Sequence, residues 1–319
     1  MSYPPDMSGL KVAFVNFWPG FTPETGLLRL LLDTALGGYG VVARPEDADI
    51  ILTSTFGSAP QSARFPERAI AVIWENYRPG YTAYAYSFSS DFDTHGGRNC
   101  RLPFWFTQLN WPNLVSPAST ASTDDPALEE LVEIDMLMKP RPNAAAARDR
   151  ELFCCFVASH GERHRLFAVE YLKAVGAVDV YGKVSGKPLL ESKYSVLPKY
   201  RFNLCFENSL FPGYYTEKAL QAWVAGCLPL YYADQWFRED FNTRAVANRA
   251  DFRSLAEFAA YVGAIDKTPM HFDAIINEPF LTRRPSLDQA VDFMARTARR
   301  IVDAAPRRIF PGATSNLMR

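Results

Sequence analysis

Apolar residues in this chain fall into short continuous runs separated by stretches of helical periodicity. Leu10 to Phe17 (LKVAFVNF), Ile50 to Thr53 and Ile70 to Trp74 (IAVIW) have the length and composition of strands covered on both faces. Val41 to Ala43 is a shorter run of the same kind. Glu24 to Leu36 places leucines at helical spacing and runs into Gly37-Gly38, a helix stop. The second half restarts the alternation with strands over Leu152 to Ala158, Val178 to Tyr181, Phe202 to Phe206 and Leu228 to Tyr232. Ser159 reads as the N-cap of a helix reaching Val175, and Thr216 to Ala225 as a helix closed by Gly226. Strands alternating with helices predict an α/β chain with parallel sheets and crossover connections.

The pattern lapses between the halves. Trp111 to Pro126 is rich in Pro, Ser, Thr and Asp, and Lys139 to Ala147 (KPRPNAAAA) adds two prolines. A short acidic helix is expected over Ala127 to Leu137, inside this connection. The expected division is therefore residues 1–140, residues 148–282 and a terminal segment, 283–319. Leu287 to Val302 is amphipathic, with Leu287, Ala290, Val291, Met294, Ala298 and Ile301 on one face. From Arg283 onward eight basic residues face three acidic ones, a local net of +5. A helix docked by its apolar face explains this, and a weak membrane-surface contact is the alternative.

Composition narrows the class. A length of 319 residues suits two domains, and 48% hydrophobic with 22% charged residues is ordinary for a globular enzyme. The net charge of −1 gives no global field for nucleic acid or an anionic membrane. No apolar run approaches the ~18 residues of a membrane span, and Met1 to Leu10 lacks a signal-peptide pattern. The five cysteines (Cys100, Cys154, Cys155, Cys205, Cys227) have no metal-like spacing, so a cytoplasmic chain with reduced thiols is expected. The unusual feature is 14% aromatic residues, which a large core or a ring-stacking site would absorb.

Several short motifs imitate known sites. Asp91-Phe92-Asp93, with His95 nearby, resembles a divalent-metal carboxylate pair, but a solvated loop before Gly96-Gly97 accounts for it. His160 and His164 have a zinc-protease spacing without the required Glu. Gly182 to Pro188 is one residue short of a phosphate loop, and Pro188 replaces its hydroxyl.

Tyr200 to Tyr232 (YRFNLCFENSLFPGYYTEKALQAWVAGCLPLYY) is the segment that carries chemistry. A buried strand ends in Glu207-Asn208-Ser209, and Thr216-Glu217-Lys218 opens a helix after a short loop. Ligands of open α/β sheets sit beyond the carboxyl ends of strands and at helix N-termini. A lysine in the first helical turn opposes the helix dipole, so Lys218 calls for a bound diphosphate. Glu217 would accept hydrogen bonds from two vicinal ribose hydroxyls, and Tyr214 and Tyr215 would wall a nucleotide pocket.

Phe206-Glu207-Asn208-Ser209, then Thr216-Glu217-Lys218, then Ala225-Gly226-x-x-Pro229 resemble the signature of the α1,3/4-fucosyltransferases of glycosyltransferase family 10. The likeness covers about a third of the chain well and the N-terminal half weakly, at Lys11 to Trp18 and Trp74-Glu75-Asn76. It implies a GT-B fold of two Rossmann-like doubly wound domains facing a cleft, with the N-terminal domain taking the acceptor. The C-terminal domain would bind GDP-β-L-fucose, with no metal or other cofactor. It further implies that Lys218 contacts the diphosphate, Glu217 the ribose and Asn208 the donor. A donor-phosphate arginine follows the Ser159-His160 turn: the leucine pattern favours Arg165, and a shortened loop keeps Arg163 open. Glu75, between an apolar strand and Asn76, matches the catalytic base.

The implied reaction is inverting α1,3-transfer of fucose to the 3-hydroxyl of GlcNAc. Gly161 to Leu166 and Val224 to Gly226 look closer to enzymes acting on the N-glycan core, so a chitobiose GlcNAc is the expected acceptor, in a bacterial glycosylation protein. N-acetyllactosamine in a surface glycan is the alternative. A non-catalytic sugar-nucleotide-binding protein and a metal-dependent transferase using Asp91 and Asp93 are readings of other classes.

Overall fold

The computed structural model describes residues 9–57, 61–114, 131–141, 144–186 and 193–304. Six parallel strands form the first sheet: β1 (Leu10–Val15), β2 (Tyr39–Val41), β3 (Ile50–Thr53), β4 (Ala69–Ile73), β5 (Tyr86–Ser89) and β6 (Asn99–Arg101). Their order is β2-β1-β3-β4-β5-β6. Every residue of β3 and β4 is buried, as a central parallel strand requires. Helix α1 (Gly26–Leu36) buries Leu27, Leu28, Leu31, Leu32 and Leu36 and stops at Gly37, whose φ of 73° a side chain would resist.

A short pair, β7 (Leu109–Asn110) and β8 (Val132–Glu133), leads to helices α2 (Ile134–Leu137) and α3 (Ala144–Arg148). The expected acidic helix over 127–137 is thus confined to its last four residues, after a strand, and 127–130 lie outside the described residues.

The second parallel sheet contains β9 (Leu152–Val157), β10 (Val178–Tyr181), β11 (Tyr200–Leu204), β12 (Leu228–Tyr231) and β13 (Ala247–Asn248), ordered β10-β9-β11-β12-β13. Around it lie α4 (Arg163–Lys173), α5 (Lys193–Val196), α6 (Lys218–Val224), α7 (Leu255–Lys267) and α8 (Pro269–Ile276). The helix expected from an N-cap at Ser159 begins three residues late, with Glu162 at the N-cap position. Helix α9 (Asp288–Ala304) closes the described chain.

Both sheets use one winding scheme. The chain goes from the first strand to an outer neighbour, then crosses to the other side of the first strand. The switch points fall between β1 and β3 and between β9 and β11. This is the doubly wound order 2-1-3-4-5 rather than the 3-2-1-4-5-6 of dinucleotide folds, and the expected pair of Rossmann-like doubly wound units is borne out.

Helix α9 returns to the first half, packing on α1 and β6. It buries Ala290, Phe293, Met294, Ala298 and Ile301, and Phe293 meets Phe88 edge-on at 5.1 Å. Its apolar face is consumed by the fold, which leaves only the basic face for any surface contact. One apolar cluster runs from α1 and the first sheet through Trp105 and Trp111 to Trp223, Phe237, Phe241 and Phe280. Much of the aromatic excess is therefore core. No helix among the described residues is long and apolar enough to cross a membrane.

Candidate active site

The carboxyl ends of β9 and β11 form the switch point of the second sheet, and the charged motif residues gather there. Arg165, on the first turn of α4, is 2% exposed. Its Nη1 donates to Asn208 Oδ1 at 2.8 Å and to the His160 carbonyl at 3.1 Å, while the guanidinium lies 4.8 Å from the Phe156 ring centroid. Arg163 is exposed at the same helix start, with its guanidinium over Phe167. The fold thus brings Arg165, and not Arg163, to Asn208. The reason is helical: two residues turn a side chain to the opposite face.

Glu207 is the hub of the cluster. Its carboxylate is 3% exposed and accepts from the Thr216 amide, the Thr216 hydroxyl and the Lys218 ammonium at 2.8 Å each. The Tyr231 hydroxyl adds a bond of 2.7 Å. Buried carboxylates survive only with such a set of donors. Burial alone would lower the Lys218 ammonium, but the carboxylates of Glu207 and Glu217 outweigh it and raise its pKa. Burial opposes ionisation of Glu217, yet Lys218 and Lys193 pull its pKa down to about 2. Lys193 Nζ stands 3.8 Å from Glu217 Oε1 and donates to Gln221 Oε1 at 3.2 Å. A narrow cavity between Arg165, Lys193, Lys218, Asn203 and Gln221 separates these groups.

The helix expected from Thr216 begins at Lys218 and has only seven residues. The Thr216 amide is taken by Glu207. Positive charge here comes from side chains more than from a helix terminus. Lys193 and Glu207 complete a cluster that sequence reasoning left incomplete. Glu207 carried a signal, an acidic residue at the end of an apolar strand. Lys193 carried none, because only the fold brings α5 beside α6.

The two tyrosines part company. Tyr214 is 4% exposed; burial first, then the field of Glu207, pushes its phenol up, with Glu75 and Glu217 contributing. Tyr215 packs its ring on Phe237 and Phe241 and donates to Asp234 Oδ1 at 2.8 Å. That is a core-facing position rather than a pocket wall.

Glu75 lies exposed just beyond the carboxyl end of β4. Its neighbour Asn76 donates through Nδ2 to the Ser209 hydroxyl, joining the two halves beside the Phe-Glu-Asn-Ser segment. Arg101 fixes the same seam, with bonds of 2.8 and 2.6 Å to Asp240 and 3.1 Å to the Gly213 carbonyl. Gly213 has φ of 87°, and a Cβ there would collide with the Ser90 carbonyl oxygen. Around Glu75 stand partly exposed rings: Trp18 meets Trp74 at 5.8 Å and Phe56 at 6.2 Å, and Trp74 Nε1 donates to the Leu102 carbonyl.

The apparent metal motif is used internally. Asp91 is 4% exposed, not solvated as its loop context suggests. Its carboxylate pairs with Arg78, accepts from the Asp93 amide at 3.0 Å and lies 3.0 Å from His95 Nε2. His164 Nε2 sits 2.9 Å from the Glu207 carbonyl oxygen, which leaves it a local partner rather than a metal. No cluster of three or more His, Cys, Asp or Glu side chains suited to a metal occurs among the described residues.

Two doubly wound sheets meeting at the carboxyl ends of their strands define a GT-B glycosyltransferase fold. The model "Glycosyltransferase family 10 (fucosyltransferase) C-term" matches residues 147–275, which bears out the resemblance read from the sequence over that segment. The crystal structure of an α1,3-fucosyltransferase with GDP-fucose aligns over 91% of this chain and 90% of that one, with TM-score 0.68 and 21% identity. An alpha-(1,3)-fucosyltransferase of Helicobacter pylori is 26% identical over 269 residues, 79% of this chain and 56% of that protein. A human 4-galactosyl-N-acetylglucosaminide 3-alpha-L-fucosyltransferase is 36% identical over 107 residues, 31% of this chain and 29% of that protein. The chain thus spans about half the bacterial relative and under a third of the human one.

Proposed function

We propose that the protein is an inverting α1,3-fucosyltransferase that uses GDP-β-L-fucose and the 3-hydroxyl of a GlcNAc residue. The Asn76–Ser209 hydrogen bond carries the reading, because it joins the residue after Glu75 to the residue after Asn208, which itself accepts from Arg165. In this division of labour residues 1–140 take the acceptor and residues 148–282 the donor.

Glu75 removes the acceptor hydroxyl proton as that oxygen attacks the fucose anomeric carbon. The anomeric C–O bond breaks with its electron pair leaving on the β-phosphate of GDP, so β-linked donor becomes α-linked product. Arg165, Lys193 and Lys218 stabilise the departing phosphate through fixed charge. Glu217 is held ionised to accept from the ribose hydroxyls. Three cations supply the charge a divalent ion provides elsewhere, which supports a metal-independent reaction. Five free thiols fit a cytoplasmic setting, with burial raising Cys100 to about 11 and Cys227 to about 12.

The acceptor context has two readings. Gly161 to Leu166 supports the chitobiose GlcNAc of an N-glycan core, in a bacterial glycosylation protein. The human relative is named for action on a galactosyl-GlcNAc, which favours that acceptor instead. GDP release from GDP-fucose, measured with chitobiose-core glycopeptide and with N-acetyllactosamine in the presence of EDTA, decides between them. Turnover with one acceptor is expected. GDP-fucose binding without turnover on either would leave a sugar-nucleotide-binding protein instead.

A further inference from the structure

The second sheet has a pocket at its other end, against the amino ends of β9 and β12. Arg141, Arg150, Ala146, Trp223 and Gly226 line this space of about 240 Å³. Arg141 is 8% exposed, its guanidinium carbon 4.5 Å from the Trp223 ring centroid. Among the described residues its one hydrogen bond is long, 3.5 Å from Nη2 to the Cys227 carbonyl, and buried Nε and Nη1 have no partner. Arg150 comes in from the opposite side, donating to the Tyr200 and Ala225 carbonyls at 2.7 and 3.1 Å. Gly226 lies where the two guanidinium groups approach, and a Cβ there would collide with Arg150 and stand 3.4 Å from Arg141 Nη1.

This arrangement is costly as it stands. A buried guanidinium is normally paired, because an unpaired buried charge loses its solvation without compensation. Here two cations converge on Gly226 with no carboxylate among the described residues paired to either, and burial first, then repulsion from Arg150, depresses Arg141 to about 9. Arg150 has a sufficient structural role in closing the last turn of α6. Arg141 has none that uses its two free N–H groups.

We propose that this pocket is a binding site for a small oxyanion, a phosphate or carboxylate group, held by Arg141 with Arg150 behind it. The planar guanidinium presents adjacent N–H groups suited to two oxygens of one anion. Trp223, Met136 and Val224 give the pocket apolar walls, which suit an anion carried on a small organic body. The site is distinct from the donor cluster: α6 starts at Lys218 there and ends here. The inference does not depend on fucosyl transfer.

The test is thermal unfolding of the full chain with inorganic phosphate or an aliphatic monocarboxylate, against chloride at equal ionic strength. One or both anions should raise the melting temperature by roughly 2–5 °C at saturation, and Arg141→Met should abolish the Arg141-dependent part of that shift. Ala146→Glu, on the exposed rim, tethers a carboxylate in the pocket and should remove the shift while the protein stays folded. It carries the decision if Arg141→Met does not fold. A shift of equal size in wild type and variants, or none beyond that of chloride, would overturn the proposal. The anion that acts identifies which of the two headgroups the pocket takes.

Discussion

The two sheets share one strand order and one kind of switch point, yet the side chains placed there differ completely. Beyond β9 and β11 stand buried Arg165 and Glu207 with partly buried Lys193, Glu217 and Lys218; Lys218 pairs with both carboxylates, Lys193 with Glu217, and Arg165 bonds Asn208. Beyond β1, β3 and β4 stand Trp18, Phe56 and Trp74, partly open, with Glu75 exposed among them. The backbone provides the same concave edge twice, and residue chemistry decides what each edge can hold. A diphosphate needs fixed charge, which must be paired within the fold when no ligand is bound. A neutral glycan needs ring faces and one base, which solvent can cover at little cost.

That contrast can be broken from either side. Glu75→Gln should have the largest effect, a loss of ~10²–10⁴-fold in turnover with GDP binding unchanged in calorimetry; full activity in this variant would assign the base elsewhere. Next, Lys218→Ala and Arg165→Ala should each weaken GDP by about 1.5–3 kcal/mol, the worth of a charged hydrogen bond. Arg163→Ala should leave that affinity untouched, and a loss matching Arg165→Ala would reverse the assignment. The smallest effect is expected at Phe56, 44% exposed beside Trp18. Phe56→Ala should raise the acceptor KM several-fold and leave donor hydrolysis without acceptor unchanged. An unaltered acceptor KM would remove that ring from the glycan-facing edge.

Much of the frame was legible in the chain. The runs at Ile50–Thr53 and Val178–Tyr181 are strands with the expected bounds, the first as an apolar run buried throughout and the second as an alternating Val-Asp-Val-Tyr segment at the sheet edge. β5 escaped because its sequence, YSFS, is half polar; Ser87 and Ser89 are buried there by bonding to Asn99 Oδ1 at 2.8 and 2.9 Å. The pattern assigned nothing to residues 255–276, where α7 and α8 lie, although Ser254 caps α7 from the Glu257 amide at 3.1 Å.

The sequence by itself determined the alternation of elements, the Glu207-to-Lys218 motif and the placement of Glu75 at a strand end. These are local matters, set by residue periodicity and by spacing within one segment. Only the tertiary structure put Arg165 rather than Arg163 beside Asn208, brought in Lys193, turned Tyr215 into the core and carried α9 back onto the first sheet. It also left Arg141 buried with two unpaired N–H groups. Each of these depends on which face of an element meets a distant neighbour, and a single chain's pattern does not encode that pairing.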